Sequence, residues 1–538
     1  MNQDPAERPR SPKTWFGHPK GVFLIAFSEL WERFSFYGMT ALLPLYLSAD
    51  TAAGGWGWSR ADALLFYGFY AGLVFIVPVA GGWVANNHLG ERRCICLGAV
   101  LLAAGHLALA GASAVPVLAE QLTGTDAQQT IVRSGVPLGR IWALDDVRPA
   151  LDAAAARAGE PRSVALERSR VAIWTYAGVS GMFLFGLVCI VVATGLFKSS
   201  VSSIVGKLYP SADARRDAGY AVFLTCVYIG AMLATFTVGG LGEIYGWHYG
   251  FGAAAASVTL ALVLYLWKAQ AYLGDVGVVP DRKASEVASR TPQAQAAGLN
   301  REERDRLWVA FAQGVFTTVY AAAFFQKGGL LNLYTREHVD RHLSGTEIPA
   351  TWFLSVSTLV FMLVTPLLAL ACLRLARRRR NPSASYKLGA GLLVMGAAYV
   401  ILGNAEAARV AAGEPAISAV WLTGMYVLFG IGDALVWPHQ MALATKLSPS
   451  RYTTLTIGVW HLTVGIGIWL AGLIGATVER LGNLSVFSSL AVLCILCGGL
   501  AMVITPALQR RMHGAEDTSI ANVAPARATA MRWRRQPS

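Results

Sequence analysis

Three ionisable residues, Glu29, Glu32 and Arg33, sit in the run Glu29-Leu-Trp-Glu32-Arg33-Phe-Ser-Phe-Tyr37-Gly38, inside an otherwise apolar stretch from Gly21 to Leu47. At spacings i, i+3 and i+4 they share one face of a helix. An ionised side chain at a bilayer centre costs roughly 2.5–3.5 kcal/mol unless it faces a polar cavity or a partner. Packing does not call for such a cluster, so it reads as part of a substrate or ion pathway. Two carboxylates and one guanidinium leave an excess negative charge. A cation from another helix would balance it, and Lys198 fits, in Gly195-Leu-Phe-Lys198-Ser-Ser at the end of the fourth apolar span. Protonating one glutamate would release Lys198 or Arg33 for another anion, which is a coupling device. The alternative is that Lys198 snorkels to the cytoplasmic interface.

The elements that must hold these groups are membrane helices. Of the 538 residues, 54% are hydrophobic and 14% charged, and the mean hydropathy is +0.46. These values exceed those of a soluble domain and predict an all-α polytopic membrane protein. Twelve transmembrane helices are expected near 20–47, 60–86, 93–114, 171–198, 217–241, 249–271, 305–333, 351–375, 386–404, 417–446, 453–479 and 484–505. The basic, polar N-terminus does not read as a cleavable signal peptide, because the first apolar span is too long for an h-region. The net charge of +13 is explained by loop topology rather than by nucleic-acid binding. Arg92-Arg93, Lys207 with Arg215-Arg216, Arg374 with Arg377 to Arg380, Lys446 with Arg451, and the tail from Arg510 fall on alternate loops. They share a side with the N-terminus, so both termini are expected in the cytoplasm, with the chain multi-pass in the cell (inner or plasma) membrane.

A polar linker at 272–304 separates a bundle of six helices (20–271) from a second bundle of six (305–505). The tails are 1–19 and a basic 506–538. Six plus six around a central cytoplasmic linker is the layout of two parallel repeats about a midplane site. Residues 115–170 form an extracytoplasmic insertion in which Asp145 to Gly159 reads as helical; it could be a lid, a partner-binding element or a tolerated insertion. The seven cysteines all lie in or beside apolar spans and read as small apolar fillers, the Cys494–Cys497 pair included. No phosphate-binding glycine-lysine loop supports direct ATP drive, and no HExxH or nucleophile-base set supports an enzyme. No metal site is expected.

The run at 29–38 resembles the first-helix signature ExxERFxxYG of the proton-dependent oligopeptide transporters, the POT family of the major facilitator superfamily. Further matches cover most of the chain: Gly195 to Tyr209, Gly246-Trp-His-Tyr-Gly-Phe251, Ile348-Pro-Ala-Thr-Trp352-Phe353, and Gly458-Val-Trp460 with Gly465 and Ala471-Gly472. Gly81-Gly82 followed by Leu89-Gly90-Glu-Arg92-Arg93 is similar to the superfamily's loop between the second and third spans, with Asn86 where an aspartate is usual. The resemblance implies the major facilitator fold of two six-helix bundles. It implies proton-coupled symport of di- or tripeptides by alternating access, with protons as coupling ion and no cofactor. Arg33 and Lys198 would hold the peptide carboxylate, and Glu29 and Glu32 would take part in proton coupling. Tyr37 and Tyr70 would line the pocket with Gln326. Asp433 stands where the family has a tenth-helix glutamate for the peptide's amino group, one methylene shorter. Trp352 and Trp460 offer apolar walls, or pack between helices, or belong to an interface belt.

The departures carry information too. The family's seventh helix usually has a glutamate just before its glutamine, and here the pair is Phe325-Gln326. In the family that acid can pair with an arginine seven residues after the signature arginine; here that position is Thr40. Removing one partner would leave a buried charge costing about 3–5 kcal/mol, whereas replacing both can be neutral. The joint absence reads as a substituted gate. Lys327 follows directly and could enter the pathway or the outer rim. Tyr228 and Ser357 occupy positions where the family often has pocket asparagines, so pocket polarity has shifted. The linker is too short and polar to carry the extra helix pair of many bacterial members. The expected partners are a small peptide, protons and membrane lipid. Two alternatives stay open: a transporter of another small zwitterionic or peptide-like solute, and a transporter-like sensor or receptor without net transport. No oligomeric state follows from the sequence.

Overall fold

In the computed structural model the described residues are helical almost throughout. The structure describes residues 14–50, 53–123, 162–209, 213, 215–280, 299–378, 380–448 and 453–516. Among them, the residues up to Ala63 and from Leu73 to Pro280 form one compact unit, and Leu64–Gly72 with the residues from Leu299 onward form a second. Eleven helices are long and apolar enough to cross a membrane. The first helix, α1 (Lys20–Ser48), has 29 residues, about 44 Å at 1.5 Å per residue. Its buried Glu29, Glu32 and Arg33 keep its hydropathy low, which is why it stands outside that count. With it the helices number twelve, as expected.

The first unit is built from α1, the two ends of α2 (Arg60–Ile76), α3 (Pro78–Val84), α4 (Glu91–Thr123), α5 (Arg162–Lys207), α6 (Arg216–Ala234), α7 (Gly240–Tyr245) and α8 (Trp247–Leu273). One π-helical turn joins α3 to the α4 loop and another joins α6 to α7. Leu24 and Ile25 of α1 pack with Ile95, Phe197, Val201, Phe223 and Tyr265 in a core shared by α1, α4, α5, α6 and α8. α5 continues to Lys207, so Lys198 lies about two and a half turns inside a helix rather than at the end of the fourth span. α4 and α5 also extend into both ends of the expected 115–170 insertion. The helix expected over Asp145 to Gly159 falls outside the described residues, as do much of the linker and most of both tails.

The second unit contains α9 (Arg301–Phe324), α10 (Leu330–His338), α11 (Ala350–Arg377), α12 (Ala384–Ala412), α13 (Ala419–Leu447), α14 (Thr453–Ala476) and α15 (Val478–Arg511). Asn300 starts α9 through a reciprocal capping box with Glu303. The seventh span is not the single helix expected over 305–333. α9 stops at Phe324, one tight 3-10 turn covers Phe325–Lys327, and α10 restarts after Gly328-Gly329. This break turns Gln326 and Lys327 away from regular helix geometry and fixes where their long polar side chains go. α15 bends at Gly482, whose φ is +77°.

Candidate functional site

Each unit buries a charged cluster that contains residues singled out in the sequence. In the first, Glu29, Glu32 and Arg33 are 4%, 1% and 3% exposed. Arg33 Nε lies 3.2 Å from Glu29 Oε1 and donates to Glu32 Oε2. The spacing that puts the three on one face of α1 therefore makes one guanidinium serve two carboxylates. The arrangement leaves polar capacity over. Glu29 Oε2, Glu32 Oε1 and Arg33 Nη2 are buried without a hydrogen-bond partner among the described residues. Each such atom is worth about 1–3 kcal/mol to whatever group satisfies it.

Lys198 completes the cluster from α5. Its Nζ lies 3.9 Å from the centre of the Phe75 ring, and its charge interacts with those of Glu29, Glu32 and Arg33. The aromatic face replaces part of the water an ammonium would otherwise hold. The Arg33 guanidinium in turn lies 5.3 Å from the Phe36 ring. Close helix approach makes this possible. A Cβ at Gly230 of α6 would sit 2.2 Å from Leu30 O and 3.3 Å from Arg33 Cβ, so only glycine lets α6 press on α1 at the charged turn. Tyr37, half-buried, sets its ring edge-on to Phe36 at 5.2 Å. Tyr228 is half-buried on α6. Thr40 is buried, its hydroxyl donating to Tyr37 O at 3.1 Å.

In the second unit Asp433 of α13 is 4% exposed. Its Oδ1 accepts from Tyr320 OH at 2.7 Å and from Trp437 Nε1 at 3.1 Å. Tyr320 and Trp437 also meet edge-to-face at 5.6 Å. Lys327 Nζ donates to Ser357 Oγ at 3.3 Å and sits 4.2 Å from the Phe324 ring centre, within the electrostatic reach of Asp433. α11 and α13 can come this close because Gly430 has no side chain: a Cβ there would lie 2.5 Å from Ser357 O. Phe325 is buried edge-on to Phe324 at 5.2 Å. Trp460 of α14 meets Trp437 edge-on at 6.1 Å. Its Nε1 is buried without a hydrogen-bond partner among the described residues.

Of the residues singled out in the sequence, Glu29, Glu32, Arg33 and Lys198 come together in one unit. Asp433, Ser357 and Trp460 come together in the other, with Lys327 turned into the cluster rather than to a rim. Gln326 takes a different place: its amide donates to Ala471 O at 2.9 Å and Ala322 O at 3.3 Å, tying α14 to α9. Tyr70 is buried. Trp352 is among the exposed side chains. Tyr320 and Trp437, the two donors that orient Asp433, were not singled out. Trp437 stands four residues after Asp433, a spacing that places both on one helical face and could have found it. Nothing local marks Tyr320.

With this geometry in hand, the chain was compared with known proteins. A family model described as PTR2, POT family, matches residues 92–274 and 282–489. The chain is 27% identical over 560 residues to the peptide transporter YePEPT of Yersinia enterocolitica subsp. palearctica serotype O:3 (strain YE-P4), covering 94% of this chain and 97% of that one. It is 24% identical over 557 residues to a di-/tripeptide transporter of Lactococcus lactis subsp. cremoris, covering 94% and 98%. Among solved structures, the peptide transporter POT in complex with sulfate superposes with a TM-score of 0.73 at 24% identity, over 93% of this chain and 98% of that one. A POT family transporter in complex with 5-aminolevulinic acid gives a TM-score of 0.73 at 23% identity, over 92% and 98%. The two structural matches carry the fold.

Proposed function

Because the chain belongs to the POT family, we propose that it is a proton-coupled symporter importing di- and tripeptides by alternating access across the cell membrane, both termini in the cytoplasm. The observation that carries this reading is the pair of buried clusters of complementary character. Arg33 and Lys198 offer two cations for a carboxylate. Asp433, oriented by Tyr320 and Trp437, offers an anion for an ammonium group. A peptide zwitterion presents both. Relatives that transport peptides and di- or tripeptides support the substrate class.

Charge balance suggests the coupling. Glu29, Glu32, Arg33 and Lys198 sum to zero when all are ionised. A carboxylate arriving at Arg33 and Lys198 adds one negative charge to a site with little water. One proton on Glu29 or Glu32 restores neutrality and frees the cation that glutamate held. Proton and peptide carboxylate thus favour each other's presence, which is the condition for symport. Tyr37, Tyr70, Tyr228, Ser357 and Trp460 line the substrate path in this reading, whereas Gln326, expected among them, is engaged between α9 and α14. Thr40 and Phe325 are the gate residues of this reading, and neither carries a charge. The test is uptake of labelled dialanine into proteoliposomes with and without an inward proton gradient. Accumulation that ignores the gradient refutes the coupling, and no uptake of any di- or tripeptide refutes the substrate class.

A further inference from the structure

The second unit holds a cavity of about 750 Å³ where α11 and α15 end and α12 begins. None of the Asp433 cluster lines it. One wall is polar: Ser383 and Lys387 at the start of α12, and His439 and Lys446 of α13. The facing wall is apolar, with Cys372 and Leu373 of α11. Lys387 is 7% exposed. Among the described residues no hydrogen bond or ion pair engages its ammonium group. An ammonium group on a buried stem, with no counter-ion among the described residues, is a group that an oxyanion completes.

A second feature of the cavity is a carboxylate held in its wall. The N–H of Ala384, in the first turn of the 29-residue α12, donates to the carboxylate of Glu516. The chain's own carboxylate thus occupies the electropositive end of the helix. Among the described residues that line the cavity, Glu516 supplies one negative charge and Lys387 and Lys446 supply two positive ones. The approach to it is a lipid track. Leu363, Leu367, Leu370 and Leu373 are all exposed. At steps of four, three and three they form one stripe down α11 that ends at the cavity. Arg374 and Arg377 at the C-terminal end of that helix mark the level where a membrane surface would lie.

We propose that this cavity binds the phosphate of an anionic phospholipid, with Lys387 as its contact ion, Lys446 beside it, and the glycerol and acyl region against Cys372, Leu373 and the leucine stripe. The lipid then ties together the ends of α11, α12, α13 and α15. The site is separate from the peptide site, so it acts on stability and on the second unit's packing.

The test uses the purified full-length chain in detergent. Thermal unfolding is followed while phosphatidylglycerol, phosphatidylcholine or inorganic phosphate is added. Phosphatidylglycerol should raise the midpoint and phosphatidylcholine should not. Lys387→Gln should raise the half-saturating phosphatidylglycerol concentration at least about fivefold, as expected for one lysine near an anionic headgroup. Lys387→Arg should restore it, and Lys268→Gln, on α8 of the first unit, should leave it unchanged. Should Lys387→Gln not fold, Lys446→Gln gives the same reading with a smaller shift. An equal effect of both lipids, or an equal loss in Lys268→Gln, overturns the proposal. Inorganic phosphate reproducing the full effect overturns the lipid assignment in favour of a free phosphate ion.

Discussion

Replacing Asp433 by asparagine isolates its charge from its geometry. The amide oxygen of asparagine stands where Oδ1 stands and keeps accepting from Tyr320 OH and Trp437 Nε1, now at 2.7 and 3.1 Å. Side-chain volume hardly changes, so the fold should persist. What disappears is the anion that we propose faces the peptide's ammonium group. Truncating one partner of a desolvated, hydrogen-bonded charge pair costs about 2–5 kcal/mol, or roughly 30–4,000-fold in Kd at about 1.4 kcal/mol per tenfold. The structure places the expectation at the lower end. Lys327 already lies in the field of Asp433 and is only partly buried, so an arriving ammonium group enters a field that a cation already offsets in part. We therefore predict that Asp433→Asn weakens dialanine binding about 30-fold.

The assay is equilibrium binding of dialanine and N-acetyl-dialanine to the purified protein, with the thermal midpoint as a check on folding. The acetylated ligand has no ammonium group to lose and should weaken less than about threefold, the scale of a rim contact. Equal losses for the two ligands would refute the reasoning and make Asp433 a structural residue that holds α9 to α13 through Tyr320.

Three further outcomes follow from the same geometry. Glu32→Gln, and to a lesser degree Glu29→Gln, should abolish gradient-driven uptake while peptide counterflow persists in part; unchanged accumulation in both variants would sink the coupling scheme. Lys198→Ala should weaken a free dipeptide by about 2–5 kcal/mol but its C-terminal amide far less, measured by the same binding assay. Phe325→Glu alone should impair uptake by burying an unpaired carboxylate, and adding Thr40→Arg should recover part of it; additive effects in the double-mutant cycle would show that the two positions do not act as a gate.

The helices were legible because their cause is local. Long apolar runs bounded by basic loops leave a chain in lipid one way to satisfy its backbone, which is to form helices. The charged cluster of α1 was legible for the same reason: i, i+3 and i+4 spacing puts Glu29, Glu32 and Arg33 on one face whatever the helix packs against. The errors in the reading fall where geometry overrides composition. Hydropathy averages across Gly328-Gly329 and so reports one seventh span, although the backbone turns at Phe325–Lys327. Hydropathy likewise ends the fourth span at Lys198 because a cation lowers the average, although the helix continues to Lys207.

Cross-helix contacts explain the rest. Tyr320 and Asp433 are 113 residues apart and meet through one hydrogen bond of 2.7 Å; no periodicity within α9 or α13 encodes it. Lys327 shows the same limit from the other side. Its position next to a lost acid could place it in the pathway or at a rim, and only the 3-10 turn and the approach of α11 at Gly430 decide the matter, bringing Nζ to Ser357 Oγ. The consequence reaches function. An acid missing from position 325 reads in the sequence as charge lost from the seventh helix. In the folded unit a cation, Lys327, stands two residues on, in the field of Asp433, the carboxylate we propose for the peptide's amino end. The seventh helix therefore keeps an electrostatic role with its sign reversed. Peptide selectivity in this chain should depend on the balance between Lys327 and Asp433 more than on the substituted residue itself.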